Sequence, residues 1–408
     1  MTILPRHIPR PTGGAADEIC ALLRVLLMHH LLNPPVTARS ASFNTLVVIL
    51  GLDAFLRKNV AQLREMGALG YRFHVCTTGN AGVLEADAPK AHQVIRLAAS
   101  PVARAAQVLR HLWRHRHSIS HVEVYPGGRF AFFYAGRTRL LALPLLVVER
   151  GDLIDEDSLP RWDAGLRRLC YLLADCVWYR EPYQGRALAN LGVTKMSFIP
   201  NAVDFTSYEC ETDRDVDFLW VNRLIPQRRA DWFATLMSSG EFAHTRGVMS
   251  GFLPSPKEPA VAALQDAIRR QRPANLDLHE YADPSAFYRS ARYFVLPAEV
   301  VFANNALLEA MAHGVVPLVS DVEGARDIVT DGVDGWVFPH TADGLRQAMR
   351  RATSTPPEVW QRMSTAAAGS VRARFSRQVW ADSISNLYAQ LRHRSSRPTC
   401  SSASPHDP

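Results

Sequence analysis

The chain has no apolar run of the roughly 18 residues that a membrane-spanning helix requires. Its longest candidates, Val25–Leu32 and Leu140–Val148, are interrupted by His29 and His30 and by Pro144. The start also lacks a charged segment followed by an apolar one, so no secretory leader is read and a cytoplasmic protein is expected. The six cysteines (Cys20, Cys76, Cys170, Cys176, Cys210 and Cys400) contain no C-x-x-C pair. Cysteine-based zinc frameworks are thereby excluded, and buried or free thiols in a reducing compartment are expected. No G-x-G-x-x-G follows a predicted strand, which argues against a dehydrogenase, and no G-x-x-x-x-G-K-[S/T] is present, which argues against a P-loop. No aromatic–basic motif accompanies the positive charge, so nucleic acid is not an expected partner.

What is present is a globular composition, 47% hydrophobic and 21% charged, with a net charge of +7 carried mostly by arginine. At 408 residues the chain is too long for one ordinary core, and two domains are expected. The basic balance suits phosphate-bearing ligands or an anionic surface.

Strand and helix signals alternate along most of the length. Continuous β-rich runs at Thr45–Leu52, Tyr71–Thr77, His121–Tyr125, Leu143–Val148, Cys176–Tyr179 and Lys195–Pro200 read as strands, with helices at Phe55–Met66 and Leu166–Leu173. An acidic stretch from Glu209 to Asp217 follows. The rhythm then restarts with strands at Asp217–Val221, Leu276–His279, Tyr293–Leu296 and Val316–Ser320 and helices at Ala230–Leu236, Val261–Arg270 and Ser376–Leu391. Repeated β–α–β units predict parallel sheets flanked by helices, an α/β class with two Rossmann-like halves facing across a cleft. The expected division is a poorly ordered extension over 1–44, a first domain over 45–204, a second over 205–375, a closing helix over 376–391 and a disordered tail over 392–408.

One segment says more than the rest. Residues 294–317 read as a buried strand, a loop, a helix opening on Asn304 or Asn305, a glycine stop at Gly314 and a new strand. A helix N-terminus at the end of such a strand offers free N–H groups and a positive dipole end, which suits a phosphate. Glu309 falls one turn inside that helix, where its carboxylate can accept hydrogen bonds from sugar hydroxyls.

Four segments share one order: Ile199 to Asp204, Phe218 to Arg229, Glu309 to Gly314, and Gly324 to Pro339. Together they resemble glycosyltransferase family 4, the group 1 retaining glycosyltransferases of the GT-B fold, clearly over 199–390 and more weakly over 45–198. The resemblance implies that Arg223, in Asn222-Arg223-Leu224, and Arg228 hold the donor diphosphate. It further implies that Phe302, Ala303, Asn304 and Asn305 face the donor sugar, that Ala306 and Leu307 offer N–H groups to the phosphates, and that Tyr281 lies near the base. Glu309 matches the second glutamate of the family's pair. The position of the first holds Val301, and Glu299 stands two residues earlier. On the acceptor side the resemblance points to His121 or Glu123 as the catalytic candidate, while Glu149 and Arg150 end the next strand at the cleft. The family's glycine pair in the first loop is replaced by Gly51 to Lys58.

The implied activity is transfer of a sugar from a nucleoside-diphosphate donor to a glycan or lipid-linked acceptor with retention, without a cofactor or metal. Alternatives are a catalytically silent binder, suggested by Val301, and a nucleotide-sugar epimerase or phosphorylase on the same fold. Residues 100–118 form a basic amphipathic pattern with no acidic residue. It reads either as an ordinary sheet-covering helix or as a contact with an anionic membrane, at the inner face where a lipid-linked acceptor would reside.

Overall fold

Runs of β-branched and aliphatic residues that leave no polar face can persist only as strands covered on both sides, and the structure has two such sheets. It is a computed structural model that describes residues 45–51, 57–79, 92–125, 129–149, 161–203, 214–280, 283–301 and 304–395. The expectations for 1–44 and for the acidic linker up to residue 213 lie outside the described residues, as does most of the tail.

The first sheet contains β1 (Thr45–Leu50), β2 (Tyr71–Thr77), β3 (His92–Arg96), β4 (Ile119–Val124), β5 (Leu145–Val148), β6 (Cys176–Tyr179) and β7 (Met196–Phe198) in the order β3-β2-β1-β4-β5-β6-β7. Every pairing is parallel. Its helices are α1 (Arg57–Ala68), α2 (Pro101–His115), α3 (Arg129–Leu140), α4 (Arg161–Leu173) and α5 (Pro182–Asn190).

The second sheet contains β8 (Val216–Val221), β9 (Gly247–Phe252), β10 (Leu276–Glu280), β11 (Ala291–Leu296), β12 (Val316–Ser320) and β13 (Trp336–Phe338) in the order β10-β9-β8-β11-β12-β13, again all parallel. Around it lie α6 (Ala230–Met237), α7 (Pro259–Arg270), α8 (Ser285–Ser290), α9 (Asn305–Ala312), α10 (Ala325–Ile328), α11 (Ala342–Thr353) and α12 (Pro357–Phe375). The last helix, α13 (Arg377–Ser395), belongs by packing to the first sheet. Trp380, Ile384, Leu387, Tyr388 and Leu391 bury themselves with Val47, Ile49, Phe73 and Val75. Its start is fixed by a parallel bridge between Val203 and Ser376, where the Val203 N–H donates to the Phe375 carbonyl at 2.8 Å.

Both sheets run outward from a first strand, then cross back over it to continue on the other side. That reversal falls between β1 and β4 in one sheet and between β8 and β11 in the other. Crevices at such switch points, beyond the carboxyl ends of the strands, are where open α/β sheets receive ligands.

Tyr71–Thr77, Cys176–Tyr179 and Val316–Ser320 have the bounds that the sequence predicts, and the other predicted strands differ by one or two residues at an end. β1 stops at Leu50 because Gly51 turns into the left-handed region at φ 80°, where an added Cβ would sit 2.6 Å from the Tyr125 carbonyl oxygen. Six sizeable elements carry no prediction: β3, β9, α3, α5, α11 and α12. β9 reads Gly-Val-Met-Ser-Gly-Phe, whose glycines suggest a turn, yet all six residues are buried. Gly247 is required there by the side chains of Met237 and Leu276, which an added Cβ would meet at 2.8 and 2.9 Å.

Candidate functional site

The site grows from the switch point of the second sheet. β8 ends at Val221 and the chain turns through Asn222, Arg223 and Leu224 into a 3₁₀ turn at Pro226–Arg228. Leu224 is buried and anchors the turn, which leaves Arg223 exposed and Arg228 half-buried. β11 ends at Leu296, and its following loop lies against that turn. The Glu299 N–H donates to the Gln227 carbonyl at 2.9 Å, and Arg228 Nη1 donates to the Val300 carbonyl at 2.9 Å. Two loops about 70 positions apart in the chain thus form one rim.

Neither Arg223 nor Arg228 has a carboxylate partner among the described residues. Burial, and then the nearby charge of Arg223, lower the pKa of Arg228. A guanidinium that is partly desolvated beside another cation gains from an anion placed between them. The neighbouring Arg229 differs. It adopts a left-handed conformation (φ 47°), lies over Trp232, and pairs with Glu299 at 2.6 Å.

α9 opens five residues beyond Val300. Asn304 is its N-cap and accepts from the Leu307 N–H at 3.2 Å, so one end N–H of the helix is satisfied by the protein itself. The Asn304 Nδ2, buried, finds no hydrogen-bond partner among the described residues, and neither does the buried Nδ2 of Asn222 at the end of β8. Unsatisfied buried donors cost on the order of 1–3 kcal/mol each, and a ligand oxygen would recover that. Asn305 is reached from the other sheet, by Asn201 Nδ2 at 3.4 Å, while Arg180 Nη1 holds the Asn201 Oδ1 at 3.2 Å. Ala306 and Leu307 form the first turn. Glu309 follows and accepts from the Tyr288 hydroxyl at 3.2 Å.

The expected first glutamate position is settled in structural terms. Val301 is fully buried in the apolar cluster with Leu307 and Leu308, and its N–H donates to the Glu323 carbonyl at 3.0 Å. Glu299 is committed to Arg229. Tyr281, Phe302, Ala303 and Arg150 lie outside the described residues.

On the first sheet, His121 has no exposed surface and Glu123 almost none. α13 covers them: the Tyr388 ring lies 4.2 Å from the His121 ring, and its hydroxyl donates to Glu123 in a short hydrogen bond. Tyr125 donates to the same carboxylate at 3.3 Å. Burial, with the adjacent Glu123 charge, pushes the Tyr388 phenol well above its usual range, so it stays a donor. His121 Nδ1 is 3.3 Å from the Ser120 hydroxyl, and its Nε2, 3.8 Å from the Glu123 carboxylate, makes no hydrogen bond among the described residues. A small cavity beside them is lined by Gln62, Phe73, Glu123, Trp178, Trp380 and Tyr388. Glu149 is fully buried as well and accepts from the Tyr171 hydroxyl at 2.5 Å. The structure therefore brings Arg223, Arg228, Asn304 and Glu309 to one switch point, and encloses His121, Glu123 and Glu149 beneath helices.

Solved structures share this architecture. Sucrose-phosphate synthase from Thermosynechococcus elongatus superposes with a TM-score of 0.68 at 15% identity, over 86% of this chain and 100% of that one. Anabaena HepE in complex with UDP-glucose gives 0.67 at 13% identity, over 85% and 99%. A glycosyltransferase from Rickettsia africae gives 0.66 at 12% identity, over 85% and 98%. The fold is GT-B. Residues 215–355 match the family described as group 1 glycosyl transferases, which places the family's signature on the second sheet and on the rim just described. No curated protein matches the sequence. In GT-B terms the residues that sequence reasoning missed are Asn222 and the Arg229–Glu299 pair. Asn222 directly precedes Arg223, and nothing in its local sequence marks its amide as a buried donor without a partner among the described residues.

Proposed function

We propose that the chain is a glycosyltransferase that moves a sugar from a nucleoside diphosphate to a hydroxyl of a glycan or lipid-linked acceptor, with retention of configuration. The observation that carries this reading is the pair Arg223 and Arg228, unpaired with carboxylates among the described residues, at a GT-B switch point beside the N-terminus of α9. In this reading the two guanidiniums take the charge that develops on the leaving diphosphate, and the first N–H groups of α9 add to them. The orphan amides of Asn222 and Asn304 bind further oxygens of the donor, and Glu309, steadied by Tyr288, accepts from sugar hydroxyls. HepE was solved with UDP-glucose, which favours a uridine nucleotide as the first donor to try.

His121, Glu123 and Glu149 enter as positioning residues. Through Tyr388 and Tyr171 they set where α13 and α4 lie beneath the acceptor side. Calorimetric titration with a panel of nucleoside diphosphates tests the donor half. Saturable binding of at least one is expected, and no binding of any would overturn the reading.

A catalytically silent nucleotide-sugar binder is the second reading. It is favoured by the burial of Val301 and by the capture of Glu299 in an ion pair. A membrane contact is a further part of the proposal. No described helix is long and apolar enough to cross a bilayer. α2, however, buries only Val108 and Leu112 while exposing Val102, Ala106, Arg110, Trp113 and Arg114, a face suited to an anionic surface. Co-sedimentation with anionic vesicles is expected, and retention unchanged in Arg110→Glu/Arg114→Glu would refute it.

A further inference from the structure

Away from the switch point, three histidines converge where α2 crosses β2. His111 and His115 stand four apart on the helix, hence on one face, and His74 comes from the strand beneath. Its β2 face is the one that carries Cys76, which packs with Val108 and Leu112 of α2. The three rings are 4.6 to 5.1 Å apart between centroids. One nitrogen from each lies within 4.8 Å of the other two, and His74 Nδ1 is already 3.0 Å from His111 Nε2. All three residues are half-buried.

We propose that His74, His111 and His115 bind one divalent transition-metal ion of the zinc class and so clamp α2 to β2. Imidazole nitrogens bound to zinc at 2.0–2.1 Å in a tetrahedron stand roughly 3.3 Å apart. The observed spacing brackets that value, so small side-chain rotations suffice. The ligand form is the neutral imidazole. Burial, with the neighbouring histidine and arginine charges, lowers the pKa of His74 and of His111 to about 4. His115 ends α2, where the negative end of the helix dipole favours a cation. Three protein ligands leave one position for water or an anion, and the charges of Arg72 and Arg114 nearby favour an anion there. Two ligands on a helix and one on a strand that are separated by 37 residues at the closest pairing make the ion a cross-link within the first sheet layer. The site is independent of the donor crevice and its test does not depend on any activity.

The full-length, untagged protein, stripped with a chelator, is titrated with Zn²⁺ against a chromophoric competitor and with Co²⁺ followed by visible absorbance. One tight equivalent, a four-coordinate Co²⁺ spectrum and a higher melting temperature with Zn²⁺ are expected. His74→Ala and His111→Gln should each lose the equivalent and the spectrum, and His244→Ala, at an exposed histidine elsewhere, should keep both. Circular dichroism establishes which variants fold, and either folded variant alone decides. No tight equivalent in the parent, or one that survives substitution in a folded variant, would overturn the site.

Discussion

Arg228 Nη1 donates to the Val300 carbonyl at 2.9 Å, joining the loop after β8 to the loop after β11 across the switch point of the second sheet. One guanidinium therefore fixes the rim and, in the proposed reading, also presents positive charge to the donor diphosphate. A charge-assisted hydrogen bond contributes about 1.5–3 kcal/mol. Arg228→Ala should weaken nucleoside-diphosphate binding by roughly 10- to 100-fold by calorimetry, since about 1.4 kcal/mol is tenfold. Arg228→Lys should recover part of that, because it keeps the charge and loses the fork. Equal affinity in all three proteins would remove Arg228 from the site.

The contact of Tyr388 with Glu123 ties the last helix to the first sheet. Tyr388→Phe leaves the buried carboxylate with Tyr125 as its described hydroxyl donor. The cost of under-satisfying such a group is about 1–3 kcal/mol. Urea unfolding should show that loss with an unchanged slope, and a loss under about 0.5 kcal/mol would mean that water replaces the hydroxyl without penalty.

Two glycines should respond in opposite directions to alanine. Gly251 ends the body of β9 at φ 135°, and an added Cβ would lie 1.8 Å from the Asn222 carbonyl oxygen. Gly251→Ala should prevent folding or displace the Asn222 turn, with a loss above about 3 kcal/mol. Gly369 lies inside α12 with nothing within 4 Å of an added Cβ. Gly369→Ala should stabilise by about 0.4–1 kcal/mol through the unfolded chain. Thermal melts of the two variants check both signs.

The contrast also explains what the sequence discloses. Thr45–Leu50 and Val316–Ser320 announce themselves because a strand buried on both faces must be apolar throughout. β9 hides because its glycines are demanded by neighbours distant in the chain, Met237, Leu276 and Asn222. α12 hides because its buried face includes Ser364, Ala367 and Ala368, which weaken the apolar period. At the site, the expected roles of Arg223, Arg228 and Glu309 rest on the family resemblance of two local segments, those after β8 and β11, and the structure sets these residues in the segments that follow those strands. Whether a carboxylate is free was not legible there: Glu299 is taken by Arg229, 70 positions earlier, and only tertiary structure shows it. The burial of His121 and Glu123 likewise depends on Tyr388, 265 residues beyond Glu123. The histidine trio was missed for the same reason, since His74 meets His111 only once β2 and α2 are packed.

The central claim is donor chemistry at the Arg223–Arg228 crevice. Its most direct measurement is the release of nucleoside diphosphate from a panel of nucleotide sugars, uridine donors first, by the parent protein and by Arg223→Ala. The account predicts release of the nucleotide with the sugar passed to an acceptor or, more slowly, to water, and a loss of at least about tenfold in Arg223→Ala. Saturable donor binding with no release on any acceptor would leave a silent binder, isomerised sugar without free nucleotide would indicate an epimerase, and release unaffected by Arg223→Ala would contradict the site itself.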